Sequence, residues 1–129
     1  MIYLDTSVAL AHLLAEDRRP PDWIWQETLV ASRLIEYELW NRLHALDFAA
    51  SHGEAARGLV SQIALLELSP EVLQRALEPY PVRIRTLDAL HLASLGFLQT
   101  HGQKVELATY DTKMADAARA MRMSLIDLP

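Results

Sequence analysis

Four carboxylates are spaced along the chain where alternating strands and helices would bring them together: Asp5 in MIYLDTS, Glu38 in SRLIEYELWNRL, Asp88 in RTLDALHLA and Asp111 in LATYDTKMADAA. Each follows or opens a segment whose apolar neighbours are candidates for burial. In open parallel sheets, functional groups gather at the carboxyl ends of strands. Crowded carboxylates repel one another unless a cation neutralises them. An all-oxygen donor set suits Mg²⁺ or Mn²⁺, whereas zinc would recruit His or Cys. Such an ion polarises a phosphoryl oxygen and lowers the pKa of a bound water, so the chemistry this pattern predicts is metal-dependent attack on a phosphodiester.

The elements that must position these acids follow from local pattern. Ile2–Leu4 reads as a short strand ending at Asp5, and Thr6 and Ser7 offer a cap to a helix over Val8–Ala15. Pro21–Glu27 reads as a short helix carrying Trp23 and Trp25, and Thr28–Ala31 as a second strand. Ser32 caps a long helix with Leu39, Leu43, Leu46 and Ala50 at helical spacing, closed by His52-Gly53. A further helix is expected from Glu54 to about Leu65, then a strand at Leu66–Leu68 and a helix opened by Ser69-Pro70 that runs to Leu77. Glu78-Pro79-Tyr80-Pro81 cannot continue a helix. Leu87–Thr100 is helical and stopped by His101-Gly102, Val105–Ala108 is a strand, Thr112–Met121 a helix, and Ser124–Ile126 a last strand. Strands alternating with helices predict an α/β fold, with a mostly parallel sheet covered on both faces.

Composition narrows the alternatives. The 129 residues fit one domain spanning 1–129, long enough to bury a core without staples. The absence of Cys excludes disulfide frameworks and thiolate metal sites and is compatible with a cytoplasmic protein. The apolar N-terminal run is interrupted by Asp5 and His12 and falls short of the ~20 residues of a membrane helix, so no membrane association is expected. A net charge of −5 argues against coating nucleic acid through bulk positive charge, but not against a nuclease. Ten of the twelve basic residues are Arg, the fork-shaped cation that grips phosphate, and Arg18, Arg19, Arg83 and Arg85 are candidates for a basic rim around the acids.

The four acidic stretches together resemble the motifs of the PIN domain family, specifically its VapC-like ribonuclease toxins from toxin–antitoxin pairs, and the likeness covers essentially the whole chain. The resemblance implies a three-layer α/β/α fold with a central, mostly parallel sheet. It also implies a Mg²⁺- or Mn²⁺-dependent endoribonuclease, a frequent homodimer, and a cognate antitoxin protein as inhibitor. The family's acids fall on Asp5, Glu38, Asp88 and Asp111, as catalytic and metal-holding groups, with Thr109 as accompanying hydroxyl and Thr6 as a further supporting group. One departure is that Ala120-Met121-Arg122 stands where the family often has Gly late in the last helix, which bears on the turn that follows.

Two positions have rivals. Glu36 and Glu38 point to different helix faces, because residues two apart diverge by about 200°, and the family spacing from Ser32 favours Glu38. Asp116 competes with Asp111 but lies inside the following helix. His91 shares a helix face with Asp88 and reads as a structural histidine rather than a ligand. Trp23, Trp25 and Trp40 read as core or partner contacts, with Trp23 and Trp25 candidates for an antitoxin groove. A PIN-like RNA-processing nuclease without an antitoxin is the alternative within the class. A Mg²⁺-binding receiver-type signalling domain would need a paired acid near the first strand and a late strand ending in Lys, and this chain has neither. A dehalogenase-like phosphatase would need Asp where Ser7 stands.

Overall fold

The computed structural model describes residues 1–129. Four strands, β1 (Ile2–Leu4), β2 (Leu29–Ser32), β3 (Ile63–Leu66) and β4 (Glu106–Ala108), form one sheet in the order β3-β2-β1-β4, with every pairing parallel. Six helices flank it: α1 (Thr6–Leu13), α2 (Leu34–Ala45), α3 (Ala49–Ser61), α4 (Pro70–Ala76), α5 (Thr86–Thr100) and α6 (Thr112–Ala120), with a 3₁₀ turn at Asp22–Gln26. This is the expected α/β/α architecture. Strand alternation builds its two cores. Ile2, Leu4, Leu29, Ala31 and Ala108 face one layer with Val8, Ile35, Leu39 and Leu59. Tyr3, Val30 and Leu107 face the other with Leu92, Leu95, Met114 and Ala117. Removing a fully buried side chain such as Leu39 costs about 2–5 kcal/mol. The exposed Arg33–Glu67 ion pair is screened by solvent and contributes far less.

The strand order places the functional edge. From β1 the chain moves outward through β2 to β3, then crosses back to add β4 on the other side of β1. The order therefore reverses between β1 and β4, and the crevice outside their carboxyl ends is where α/β sheets hold ligands. Asp5 leaves β1 there, and its amide donates to the Ala108 carbonyl at the end of β4 (3.0 Å).

Several boundaries differ from the sequence pattern. The single long helix expected from Ser32 to Gly53 divides into α2 and α3. Asp47 takes φ 58°, the Phe48 amide reaches back to the Leu43 carbonyl (2.8 Å) and the Asp47 amide to that of His44 (3.1 Å). That is a Schellman ending with Asp in the left-handed position usually held by Gly. Gly53 is no stop. It lies inside α3, where an added Cβ would stand 3.0 Å from the Trp40 ring, so it permits close approach of α2 and α3. The expected helix to Leu65 ends at Ser61, and Ile63–Leu66 pairs with β2, because a short apolar run reads equally as helix or strand until a neighbouring strand decides. Ser124–Ile126 makes only an isolated parallel bridge, Leu107 to Leu125. α1 starts at Thr6 rather than Val8, with Asp5 itself as the cap.

The expected cap of α4 is present: Ser69 Oγ accepts from the Val72 amide (3.3 Å), with Pro70 in the first turn. α1, α5 and α6 end in the same motif as α2. The left-handed residue is Ala15 (φ 49°), Gly102 (φ 84°) and Arg122 (φ 60°) respectively. After α6 the Met123 amide donates to the Ala118 carbonyl (2.9 Å) and the Arg122 amide to that of Arg119 (2.9 Å). Arg122 thus occupies the turn at which the sequence departs from the motifs it resembles.

Candidate metal centre at the switch point

Asp5 is buried, 6% exposed. Its Oδ2 caps α1 through the Ser7 amide (3.4 Å) and accepts from the hydroxyls of Ser7 (2.5 Å) and Thr109 (2.8 Å). Ser7 Oγ in turn accepts from the Tyr110 amide (3.0 Å), and Thr109 Oγ1 from the Asp111 amide (3.0 Å). The loops leaving β1 and β4 are therefore tied together around one carboxylate oxygen. Asp111 caps α6, with Oδ1 accepting from the amides of Lys113 (2.9 Å) and Met114 (3.3 Å). Glu38, on α2, brings Oε1 to the Thr6 hydroxyl (3.0 Å) and to His91 Nε2 (2.5 Å). Asp88, in the first turn of α5, is half-buried.

Asp88 feels the charges of the other three acids. Burial raises its pKa above the ordinary carboxylate range, and the charges of Asp111, Asp5 and Glu38 push it further in the same direction. Each rival is instead paired with a neighbouring arginine. Glu36 pairs with Arg33 (2.5 Å), and Asp116 pairs with Arg119 (3.3 Å) on the exposed side of α6.

A consistent pattern runs through the four acids. One oxygen each of Asp5, Glu38 and Asp111 is fixed by protein donors, while Asp5 Oδ1, Glu38 Oε2, Asp111 Oδ2 and both oxygens of Asp88 accept no hydrogen bond from the protein. Anchored carboxylates with a spare hard oxygen suit Mg²⁺ or Mn²⁺. The spare oxygens are not drawn into a chelating arrangement: no three His, Asp or Glu side chains converge as a finished metal cage. Mutual repulsion of like charges favours such a splayed arrangement.

Sequence reasoning named Thr6, which donates to Glu38, but read His91 only as a structural histidine and missed its contact with the same carboxylate. His91 is 2% exposed and held at both nitrogens, Nε2 by Glu38 and Nδ1 by the Tyr3 hydroxyl (2.8 Å). The Ser32 amide donates to that hydroxyl (3.1 Å), which leaves the hydroxyl proton for Nδ1 and puts the ring proton of the neutral imidazole on Nε2, facing Glu38. Burial works to lower the His91 pKa, but the Glu38 hydrogen bond and the charges of Glu38, Asp5 and Asp88 outweigh it, so it lies above the ordinary value. The available signal was the i, i+3 spacing of Asp88 and His91, which puts both on the face of α5 turned to the acids. Tyr3, one residue from the end of an all-apolar strand, carried no signal. Ser7 was legible only as a cap, not as the link to Tyr110.

A parallel sheet with this reversal and four acids at or beside its edge defines a class. The sequence matches the PIN domain family over residues 2–120, and the chain belongs to that family. It is 33% identical over 128 residues to Ribonuclease VapC46 of Mycobacterium tuberculosis, covering 97% of this chain and 95% of that protein. It is 28% identical over 132 residues to Ribonuclease VapC35 of the same species, covering 98% and 96%. Its fold is shared with a chain of a toxin–antitoxin complex from Klebsiella pneumoniae, with a TM-score of 0.61 at 17% identity, covering 98% of this chain and 97% of that one. No helix is long and apolar enough to cross a membrane.

Proposed function

We propose that this chain is a metal-dependent endoribonuclease that acts in the cytoplasm as the toxin of a toxin–antitoxin pair. The observation that carries the reading is the set of anchored carboxylates with spare oxygens at the β1/β4 switch point, in a PIN domain similar over nearly its whole length to VapC ribonucleases. Asp5, Glu38, Asp88 and Asp111 would hold Mg²⁺ or Mn²⁺, which when bound supplies Lewis-acid polarisation of a phosphoryl oxygen and a more acidic water. The remaining roles belong to the protein. Ser7 and Thr109 fix the orientation of Asp5, Thr6 and His91 fix Glu38, and the first amides of α6 fix Asp111. The four acids serve as ligands and the hydroxyls of Thr6, Ser7 and Thr109 are engaged in orienting Glu38 and Asp5, so the attacking group is water.

Two protein partners complete the reading. An antitoxin would insert an Arg or Lys among the four acids, where it pairs with carboxylates and competes with metal. Trp23, 47% exposed, offers an apolar anchor for the antitoxin tail, whereas Trp25 packs on the core and on the His12 ring (4.5 Å between centroids). A second copy would cover the apolar surface of α4 and the start of α5, where Leu73, Leu77 and Leu87 are exposed.

Incubation of purified protein with total RNA, with and without Mg²⁺ or Mn²⁺, followed by mapping of the new ends, tests the reaction. Cleavage that requires added metal and disappears in Asp5→Asn supports the reading. Cleavage indifferent to both would overturn it.

A further inference from the structure

A cavity of about 590 Å³ lies between the segment leading into α5 and the first turns of α6, lined by Arg83, Arg85 and Lys113 together with Asp88 and Asp116, so cations outnumber carboxylates three to two. Through Asp88 it is continuous with the carboxylate cluster. All three cations are exposed, and none forms an ion pair. Other basic side chains are already engaged: Arg33 and Arg119 pair with carboxylates, while Arg18, Arg57 and Arg75 lie over the rings of Tyr110, Trp40 and Tyr80. The neighbouring cavity on the far side of Asp111 holds Arg18 and Arg119 against Asp111, Asp116 and Asp127, so its cations are already offset by acids. The first-turn amides of α5, at the rim, have no side-chain cap.

We propose that this groove holds the backbone phosphates of a single-stranded RNA segment next to the scissile bond; the inference rests on the endoribonuclease reading. A chain of net charge −5 repels a polyanion at long range, so productive docking needs a local cluster of free cations beside the cutting site. Two guanidinium forks and one ammonium supply it. An acidic peptide would meet the same cations, but an RNA strand carries a phosphate at every nucleotide, so a segment gripped here continues to a scissile phosphate at the adjoining acids, where the metal they would hold polarises it.

The test uses Asp5→Asn protein, which binds without cutting, and a fluorescent single-stranded RNA titrated at several salt concentrations. Each phosphate contact on a single strand contributes about 0.7 to the slope of log affinity against log salt. The triple variant Arg83→Ala/Arg85→Ala/Lys113→Ala should therefore flatten the slope by about 2 and lower affinity at least about tenfold. A control with Arg42→Ala and Arg122→Ala, exposed residues outside the groove, should leave both unchanged. In the active protein the triple variant should raise KM and keep kcat. Equal slopes for triple variant and parent, equal effects of the control, or no RNA binding by the parent would each overturn the groove. Loss of antitoxin binding with RNA affinity intact would assign it to an acidic peptide instead. RNA that binds through these three residues but is never cut, with any metal, would keep the groove and sink the nuclease.

Discussion

His91 Nε2 stands 2.5 Å from Glu38 Oε1 while the Tyr3 hydroxyl holds the opposite nitrogen at 2.8 Å, so one buried ring is braced between β1 and the carboxylate it orients. Hydrogen-bonding partners behind a metal-holding carboxylate are typically worth about 10–100-fold in metal affinity. His91→Leu should weaken Mn²⁺ binding by that factor in calorimetry, Tyr3→Phe should do so less, and His91→Gln should recover part of the loss. A uniform loss of folding across all three variants, with metal affinity per folded molecule unchanged, would reduce His91 to a core residue.

The four acids should differ sharply from their rivals. Asp5→Asn, Glu38→Gln and Asp111→Asn should each reduce RNA cleavage by at least about a hundredfold, on the scale of losing a transition-state interaction. Glu36→Gln and Asp116→Asn should change it less than threefold, since each carboxylate is paired with an arginine on its own helix turn. Initial-rate assays check the ranking, and equal effects within a pair would show that the wrong acid faces the site.

Asp88 makes the metal-free protein sensitive to pH. Burial, then the charges of Asp111 and Asp5, raise its pKa in the folded state, so folding favours the neutral carboxyl. The associated stability is present in full below the unfolded value, about pH 3.9, and is lost as pH rises through the folded pKa. In EDTA, the melting temperature of Asp88→Asn minus that of the parent should therefore grow as pH rises from 4 and then level off. Parallel melting curves at all pH values would rule out the mutual repulsion inferred here.

The helix endings give a test independent of activity. Arg122 occupies a left-handed turn that strains a side-chain-bearing residue, so Arg122→Gly should stabilise the fold by about 0.5–1 kcal/mol, a few degrees in Tm. Gly102→Ala should do the reverse by about 1 kcal/mol, because an added Cβ there meets nothing within 4 Å and the cost is conformational alone. RNA cleavage should be unchanged in both.

How far the molecule was legible from its residues depended on whether a position announces itself locally. Asp5 and Asp111 were readable because each lies just beyond an apolar strand, Asp5 directly after β1 and Asp111 three residues after β4, and heads a helix. Ser69-Pro70 and His101-Gly102 were readable because their backbone chemistry is nearly obligatory. Asp47 was not, since nothing in the sequence distinguishes an Asp about to take a left-handed conformation from one on a helix surface. Gly53 misled for the complementary reason: its lack of a side chain serves the Trp40 ring, a neighbour on another helix. The brace from Tyr3 through His91 to Glu38 joins residues 88 and 53 positions apart, and no local pattern encodes such a contact.

The strand order also sets when the acids can meet. β1 emerges early from the ribosome, yet the partner that closes the crevice is β4, and Thr109 reaches Asp5 across 104 positions of sequence. A nascent chain stopped just before β4 carries Asp5, Glu38 and even Asp88 but no assembled crevice. Long-range closure of this kind comes late in folding. If the proposed nuclease activity holds, unfinished translation products should therefore be harmless to the message that is producing them, with cutting power arriving in one step with the last strand of the sheet.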